Sequence, residues 1–134
     1  VFSAFAMHPG QGQHLGKADL SGKFFMKTMM ILENSDELAL TEDQIKKIKA
    51  LKMETKKQII KKEADLEIIE LDISCGLEED QINTQDVAKL VDQKMELKKQ
   101  KMMLLVESYA SLKNLLTDEQ EKALKAMHKK CMKN

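Results

Sequence analysis

The chain has 134 residues, and its 22 lysines balance 22 acidic residues, so the formal net charge is zero. Neutral charge and the absence of arginine argue against a nucleic-acid partner, because arginine is the usual side chain for bidentate recognition of guanine and phosphate. Charged residues make up 33% and aromatic residues 4%, with one proline, which favours one domain of long helices over a β-sandwich or barrel. No apolar run in the sequence is long enough to predict insertion into a membrane.

The first residues of the chain resemble the end of an export signal. Ala4 and Ala6 have the small-residue spacing of a signal-peptide cleavage site, and the charged and apolar parts of such a signal would precede residue 1. Glycines, a proline and the histidines His8 and His14 follow without helical periodicity, which predicts a flexible tail. We therefore expect a tail over residues 1–22 and one helical domain over residues 23–134.

The first predicted helix is capped by Ser21 and ends near Asn34. Its apolar residues lie between Phe24 and Leu32, so we expect this helix to pack against the rest of the domain. A second helix start at Ser35 is an open alternative.

The second predicted helix begins at a Leu-Thr-Glu-Asp-Gln sequence, residues 40–44. Thr41 is placed to cap this helix, and Gln44 is placed to return a hydrogen bond from the third helical position, as in a capping box. The acidic residues between them suit the positive end of the helix dipole. Leu40 and Ile45 stand at the two positions of a hydrophobic staple.

This helix is expected to run from Glu42 to Ser74, with Gly76 as the residue after its C-cap and a turn over residues 75–83. A 3–4 spacing predicts its core face, and six of the nine positions are apolar. Ile60, Ile68 and Leu71 lie off that face and predict a second apolar surface. The nine positions are Ile45, Ile48, Lys52, Thr55, Ile59, Lys62, Leu66, Ile69 and Ile73.

The third predicted helix begins near Asn83 or Thr84, and eight of the nine positions on its 3–4 stripe are apolar, as in a coiled coil. Helices of about 32 residues are each about 48 Å long, and a short turn between them makes the pair antiparallel. The end of the third helix should then lie beside the start of the second. The stripe comprises Ala88, Val91, Met95, Lys98, Met102, Leu105, Tyr109, Leu112 and Leu116.

A second copy of the motif, Leu-Thr-Asp-Glu-Gln over residues 116–120, follows the third helix. Thr117 and Gln120 repeat the capping frame, whereas Glu121 occupies the staple position. The antiparallel hairpin predicts that the two motifs meet at one end of the domain. A fourth helix is predicted from Asp118 to about Met132, folding back from that end.

Two Leu-Thr-x-x-Gln frames that bracket a helical hairpin resemble the LTxxQ-motif family of periplasmic proteins. That family includes the Spy and CpxP chaperone and stress proteins, the zinc-resistance-associated protein and CnrX-like metal sensors. The resemblance covers roughly Phe24 to the C-terminus. It implies export to the periplasm and a cradle-shaped, all-α dimer in which a long antiparallel hairpin carries two shorter helices. The motif residues that we assign a structural role are Leu40, Thr41, Gln44, Leu116, Thr117 and Gln120.

Charge is segregated along the second predicted helix. Residues 46–62 contain eight lysines and one glutamate, whereas residues 63–80 contain eight acidic residues and no lysine. Two copies of the chain could therefore pair antiparallel, with the basic half of one against the acidic half of the other. Local pairs within a solvated helix face are the alternative.

The most chemically distinctive side chains lie in the fourth helix, where His128, Cys131 and Met132 share one face. Imidazole, thiolate and thioether suit Cu(I), or Zn(II) and Ni(II) with further donors. The His-x-x-x-Met spacing also resembles the C-terminal ligand pair of CnrX-like sensors, which take a further His-x-x-x-His pair from their first helix. That second pair is absent here, so His8 and His14 are the remaining candidate donors. A solvated helix end is the alternative.

The ten methionines are expected chiefly to fill the core, with copper ligation and an adaptable client-binding surface as alternatives. Cys75 at the hairpin turn and Cys131 near the opposite end are predicted to lie too far apart for a disulfide within one chain. A bridge between subunits, or metal binding by Cys131, stays open.

No Gly-rich phosphate loop and no serine nucleophile elbow occurs in the sequence, so we do not expect an enzyme. The family resemblance implies our first hypothesis, a periplasmic, ATP-independent chaperone or envelope-stress protein that needs no cofactor. Its unfolded clients would be held on an apolar, Met-rich surface rimmed by lysine, with which the sequence is compatible. The alternative is a heavy-metal-binding sensor or resistance protein that uses a Zn, Ni or Cu ion. A third hypothesis is a structural module that binds a partner such as a membrane sensor protein.

Overall fold

The computed structural model describes residues 19–133 as four α-helices, and no strand occurs in that part of the chain. Helix α1 spans Leu20–Glu33, α2 spans Glu42–Leu77, α3 spans Thr84–Asn114 and α4 spans Asp118–Lys133. The all-α prediction is therefore confirmed, and so is the expected start of α3. None of these four helices is both long and apolar enough to cross a membrane.

The start of α1 differs from the sequence prediction. The Asp19 carboxylate accepts a hydrogen bond from the Gly22 amide at 2.8 Å, so Asp19 is the N-cap and the expectation for Ser21 is wrong. An aspartate here satisfies an orphan amide and suits the positive end of the helix. Residues 20–22 are therefore helical, and the rest of the predicted tail lies outside the described residues.

The connection between α1 and α2 is a series of turns. Helix α1 ends at the C-cap Asn34, as predicted, but the alternative helix start at Ser35 is not formed. Ala39 has φ 52°, in the left-handed region that costs a non-glycine residue roughly 1–2 kcal/mol. Backbone hydrogen bonds of the turn hold it in this conformation: the Ala39 amide donates to the Asp36 carbonyl at 3.0 Å, and the Leu40 amide donates to the Ser35 carbonyl at 2.9 Å.

Helices α2 and α3 form the predicted antiparallel hairpin. Thr55 pairs with Ser108 through their hydroxyls at 2.9 Å, Glu63 with Lys101 at 2.7 Å and Glu70 with Lys94 at 3.0 Å. Residue numbers rise along α2 as those of their partners fall along α3, so the two helices run in opposite directions.

Gly76 lies inside α2, because the C-cap of this helix is Glu78. The prediction that Gly76 follows the C-cap is therefore wrong. A Cβ atom at residue 76 would stand 3.1 Å from Val87 Cγ2 of α3. The two helices approach each other closely here, so a side chain at residue 76 would require Val87 to shift by a few tenths of an ångström.

The predicted core face of α2 is confirmed along its whole length. Ile48, Thr55 and Ile59 are buried, and the other six positions of that face are half-buried. The second apolar surface predicted from Ile60, Ile68 and Leu71 is also confirmed as a separate face, because the three side chains are 54–61% exposed.

The predicted core stripe of α3 is confirmed only in its C-terminal part, which includes the buried Leu105 and Leu112. In its N-terminal part the prediction is wrong, since Val91, Met95 and Met102 are 39–53% exposed. The half-buried side chains of this part include the heptad-spaced leucines Leu90, Leu97 and Leu104. Helix α3 carries two apolar stripes, and packing against α2 selects the leucines.

The buried core lies at one end of the hairpin. Phe24 and Ile31 of α1 and Leu124 of α4 pack there against Ile48 and Leu112. No residue between Ile59 and Leu105 is buried, so the outer part of the hairpin is an arm of two helices without further layers. The motif end is therefore the structural base of the domain, and the arm extends from it.

Candidate functional site

Both capping boxes are formed. The Thr41 Oγ1 accepts from the Gln44 amide at 3.1 Å, and the Gln44 Oε1 accepts from the Thr41 amide at 2.9 Å. At the second motif, Thr117 and Gln120 exchange the same two hydrogen bonds at 3.2 and 2.9 Å. Each pair satisfies two amides that a helix start would otherwise leave unpaired.

The two motifs meet through their glutamine side chains. The Gln44 Nε2 donates to the Gln120 Oε1 at 2.8 Å, and the Gln120 Nε2 lies 3.1 Å from the Gln44 Oε1. Each amide group therefore caps its own helix and binds the other glutamine at the same time. The glutamine pair therefore links the two ends of the hairpin that lie opposite its turn, and it connects α4 to the start of α2.

Each glutamine also binds a backbone carbonyl next to the opposite motif. The Gln44 Nε2 donates to the Leu115 carbonyl at 2.8 Å, and the Gln120 Nε2 lies 3.2 Å from the Leu38 carbonyl and 3.3 Å from that of Ala39. Sequence reasoning missed these three carbonyls, because backbone acceptors carry no residue signature. The left-handed conformation of Ala39 belongs to this arrangement, since it helps to turn the carbonyls of the loop toward Gln120.

The leucines of the two motifs contribute apolar contacts to the same end. Leu116 is buried and Leu40 is half-buried, and both belong to the core cluster or pack on it. Gln120 itself is only 8% exposed, so its hydrogen bonds are shielded from water. A neutral amide pair of this kind neither titrates nor attacks a substrate, and its effect is to hold helix ends together.

Removing either cap hydroxyl tests how much the capping boxes stabilise the domain. We expect Thr41→Ala and Thr117→Ala each to lower the free energy of unfolding by about 1 kcal/mol, because each leaves one amide unpaired. Urea denaturation followed by circular dichroism measures the change. Thr84→Ala is the control, because Thr84 is exposed at the first turn of α3, whose cap is Asn83. Unchanged stability of both cap variants would contradict the structural role.

The arm of the hairpin exposes a long apolar surface. Met53, Ile60, Ile68 and Leu71 are 54–61% exposed and share one side of α2, away from its contact with α3. On α3, Val91, Met95, Met102 and Val106 form a second exposed row at helical spacing. We call these eight residues the arm surface.

Most methionines of the described chain lie on the outside, so the expectation that they chiefly fill the core is wrong. Seven are 46–76% exposed, whereas Met30 and Met127 are half-buried against the core. The buried apolar core consists of branched aliphatic residues and Phe24, and contains no methionine. The exposed residues are Met26, Met29, Met53, Met95, Met102, Met103 and Met132.

Part of the acidic half of α2 is paired within the chain. Glu63 contacts Lys101 and Glu70 contacts Lys94, both on α3, at 2.7 and 3.0 Å. The sequence suggested ion pairs between subunits or along one helix. These two ion pairs are of a third kind, because they join α2 to α3 across the hairpin. They lie at the surface, so each contributes little to stability and mainly favours one register of the two helices.

The candidate metal ligands His128, Cys131 and Met132 are all exposed on α4. Across residues 19–133, no three His, Cys, Asp or Glu side chains are grouped closely enough to hold a metal ion. His8 and His14 lie outside the described residues. His128 lines a groove with four lysines, and their positive charge opposes a cation at this position. Cys75 and Cys131 are exposed free thiols, in agreement with the prediction that they do not pair within one chain.

That groove lies between α1 and α4, near the motif end. It has a volume of about 640 Å³, and Tyr109 of α3 contributes to its lining. Burial raises the pKa of the Tyr109 hydroxyl above its usual value, so this ring stays neutral at physiological pH. Lys27 of α1 approaches Glu121 of α4 to 3.9 Å across the groove.

A scan against protein-family models, a search of curated proteins and a search of solved structures each found no match to this chain.

Proposed function

We infer that the protein is an ATP-independent chaperone or envelope-stress protein of the periplasm that holds unfolded chains on its hairpin arm. The observation that carries the proposal is the arm surface. Eight large apolar side chains are each 39–61% exposed along two helices whose outer part has no further layer to cover it. Exposed apolar rows of this length are typical of surfaces that bind other proteins.

The composition of the arm surface favours varied clients over one shaped partner. Met53, Met95 and Met102 stand among branched residues, and methionine side chains adapt to partners of different shape. Exposed lysines such as Lys57 and Lys61 lie on the same side of α2 as the row. Their charge keeps the surface soluble and attracts acidic segments of a client, while the apolar row contacts its hydrophobic residues.

We further propose that two chains associate into a dimer through part of the same arm. An arm of two helices buries little apolar area by itself, and a second copy supplies the missing layer. The hydrogen bonds between the two motifs support this arrangement, because they hold the base of each hairpin rigid. The dimer would leave one row of each arm free for clients.

The proposal predicts that polar substitutions on the arm surface remove client protection without unfolding the domain. We expect Ile60→Gln/Ile68→Gln/Leu71→Gln to raise the concentration needed for half suppression of client aggregation about tenfold or more, because each apolar contact contributes on the order of 1 kcal/mol. Light scattering of a chemically denatured client, diluted into buffer without ATP, measures the effect. Glutamine preserves helix propensity at these exposed positions.

Lys122→Gln/Asp72→Gln is the control, since both residues are exposed, neither belongs to the arm surface or to the lysines beside it, and the pair leaves the net charge unchanged. It should retain protection. Sedimentation of the same proteins at low salt reports whether the triple variant also weakens the dimer. Full protection by the triple variant would contradict the chaperone proposal. Absence of protection by the unmodified protein would favour the structural module that binds one partner.

A further inference from the structure

We propose that the groove between α1 and α4 is a binding site for the acyl chain and carboxylate of a long-chain fatty acid. This site is separate from the arm surface, because its lining comes from α1, α4 and the C-terminal part of α3. The proposal therefore goes beyond client binding and does not depend on it.

The size and lining of the groove fit an apolar chain. Its volume of about 640 Å³ falls within the range of roughly 300–1,000 Å³ that is typical of ligand sites. Met26, Met29 and Met30 of α1 face Leu124 of α4, and Tyr109 contributes a neutral aromatic ring. Three unbranched methionines can reshape around a flexible chain at little cost.

The charges around the groove fit an anionic head group. Lys23, Lys125 and Lys129 line it in addition to Lys27, whose charge is opposed by Glu121 at 3.9 Å. Three positive charges therefore have no acidic partner within the groove. A carboxylate at the end of an acyl chain would neutralise one of them while the chain covers the apolar wall.

An acyl chain fits this groove better than a peptide segment does. The groove is walled by helices whose backbone groups are already paired within the helices, so it offers a peptide backbone few partners. A peptide segment buried there in an extended conformation would leave its own amides and carbonyls unsatisfied, which is unfavourable. A saturated chain has no such groups, and only its carboxylate needs a polar partner.

The proposal is tested by calorimetric titration of the full chain with dodecanoate and tetradecanoate below their micelle concentrations. We expect one bound molecule per chain and a roughly tenfold lower Kd for each added pair of methylenes, because the chain is buried in the groove. Dodecylammonium, which has the same chain and the opposite charge, should bind much more weakly. Equal binding of the ammonium and the carboxylate, or no dependence on chain length, would overturn the proposal.

Charge reversal locates the site. Lys125→Glu/Lys129→Glu should raise the Kd for tetradecanoate about tenfold or more, because it replaces two attractions with repulsions. Lys122→Glu/Lys130→Glu is the control, since both lysines are exposed on the same helix and lie outside the groove lining. An equal loss of affinity in the two variants would mean that binding depends only on net charge. That result would overturn the assignment of the groove as the binding site.

Methionine methyl resonances separate the groove from the arm surface. Tetradecanoate should shift the signals of Met26, Met29 and Met30 and leave those of Met95 and Met102 in place. The variant Ile60→Gln/Ile68→Gln/Leu71→Gln should bind the fatty acid as tightly as the unmodified chain does. Shifts confined to the arm methionines would show that the fatty acid binds to the arm surface and would overturn the proposal. Displacement of the fatty acid by an apolar client peptide would show that the groove binds clients.

Discussion

Gln120→Ala should lower the free energy of unfolding by about 2–4 kcal/mol, one of the two largest effects that we expect from a single substitution in this chain. The side chain caps α4, binds Gln44 and approaches the carbonyls of Leu38 and Ala39. Its removal therefore deletes a cap and leaves shielded acceptors without a donor. Urea denaturation followed by circular dichroism at 222 nm measures the loss.

Gln58→Ala is the matched control for this substitution. Gln58 is an exposed glutamine of α2 whose amide bonds only to Glu54 of the same helix, so we expect a change within about 0.5 kcal/mol. Combining Gln120→Ala with Gln44→Ala should cost less than the sum of the two single changes, because the two side chains bind each other. Additive losses, or a small effect of Gln120→Ala alone, would show that the glutamine pair does not hold the motif end together.

Phe24→Ala should destabilise the domain by about 3–5 kcal/mol, because it removes a fully buried aromatic ring and leaves a cavity. The ring packs edge-to-face against Phe25 at 5.3 Å and Tyr109 at 5.4 Å, so it joins α1 to α3. We expect α1 to detach before the hairpin unfolds. Hydrogen exchange should then show lost protection over Leu20–Glu33, with the amides of α2 and α3 near the base less affected.

The neighbouring Phe25 provides the control for the loss of Phe24. Phe25 is half-buried and its ring faces the Lys56 ammonium at 5.2 Å, so Phe25→Ala should cost clearly less than Phe24→Ala. Similar losses for the two variants would indicate that α1 is held by general apolar contact. Retained exchange protection of α1 in Phe24→Ala would contradict the role of this ring in docking the helix.

The capping boxes that begin α2 and α4 could be predicted from the sequence because they depend on neighbouring residues alone, whereas the N-cap of α1 and the C-cap of α2 were predicted wrongly. Thr41 and Gln44 stand three residues apart, and that spacing suffices to form a capping box. The same local frame recurs at Thr117, and α3 begins where the sequence predicted, with Asn83 as its N-cap. The antiparallel hairpin also followed from local facts, namely two long helices and a short turn.

The packing of the helices against each other could not be predicted in the same way. Helix α3 carries two apolar stripes, and only the fit against α2 decides that Leu97 is half-buried while Met95 is exposed. Gly76 lies within α2 and does not form a turn. Its small size matters because Val87 of α3 lies close to it. These choices depend on distances between residues that are remote in the sequence.

The sequence by itself determined an all-α chain with two capping boxes at one end of an antiparallel hairpin, because caps, turns and periodicity act within a few residues. Only the tertiary structure decided that each glutamine also binds the opposite motif, that most of the described methionines face outward and that His128 lies among lysines. To predict a hydrogen bond between residues 44 and 120, or a groove between α1 and α4, one must know how whole helices are positioned. Those positions are set by packing of the core around Phe24, Ile48 and Leu112, which no local pattern specifies.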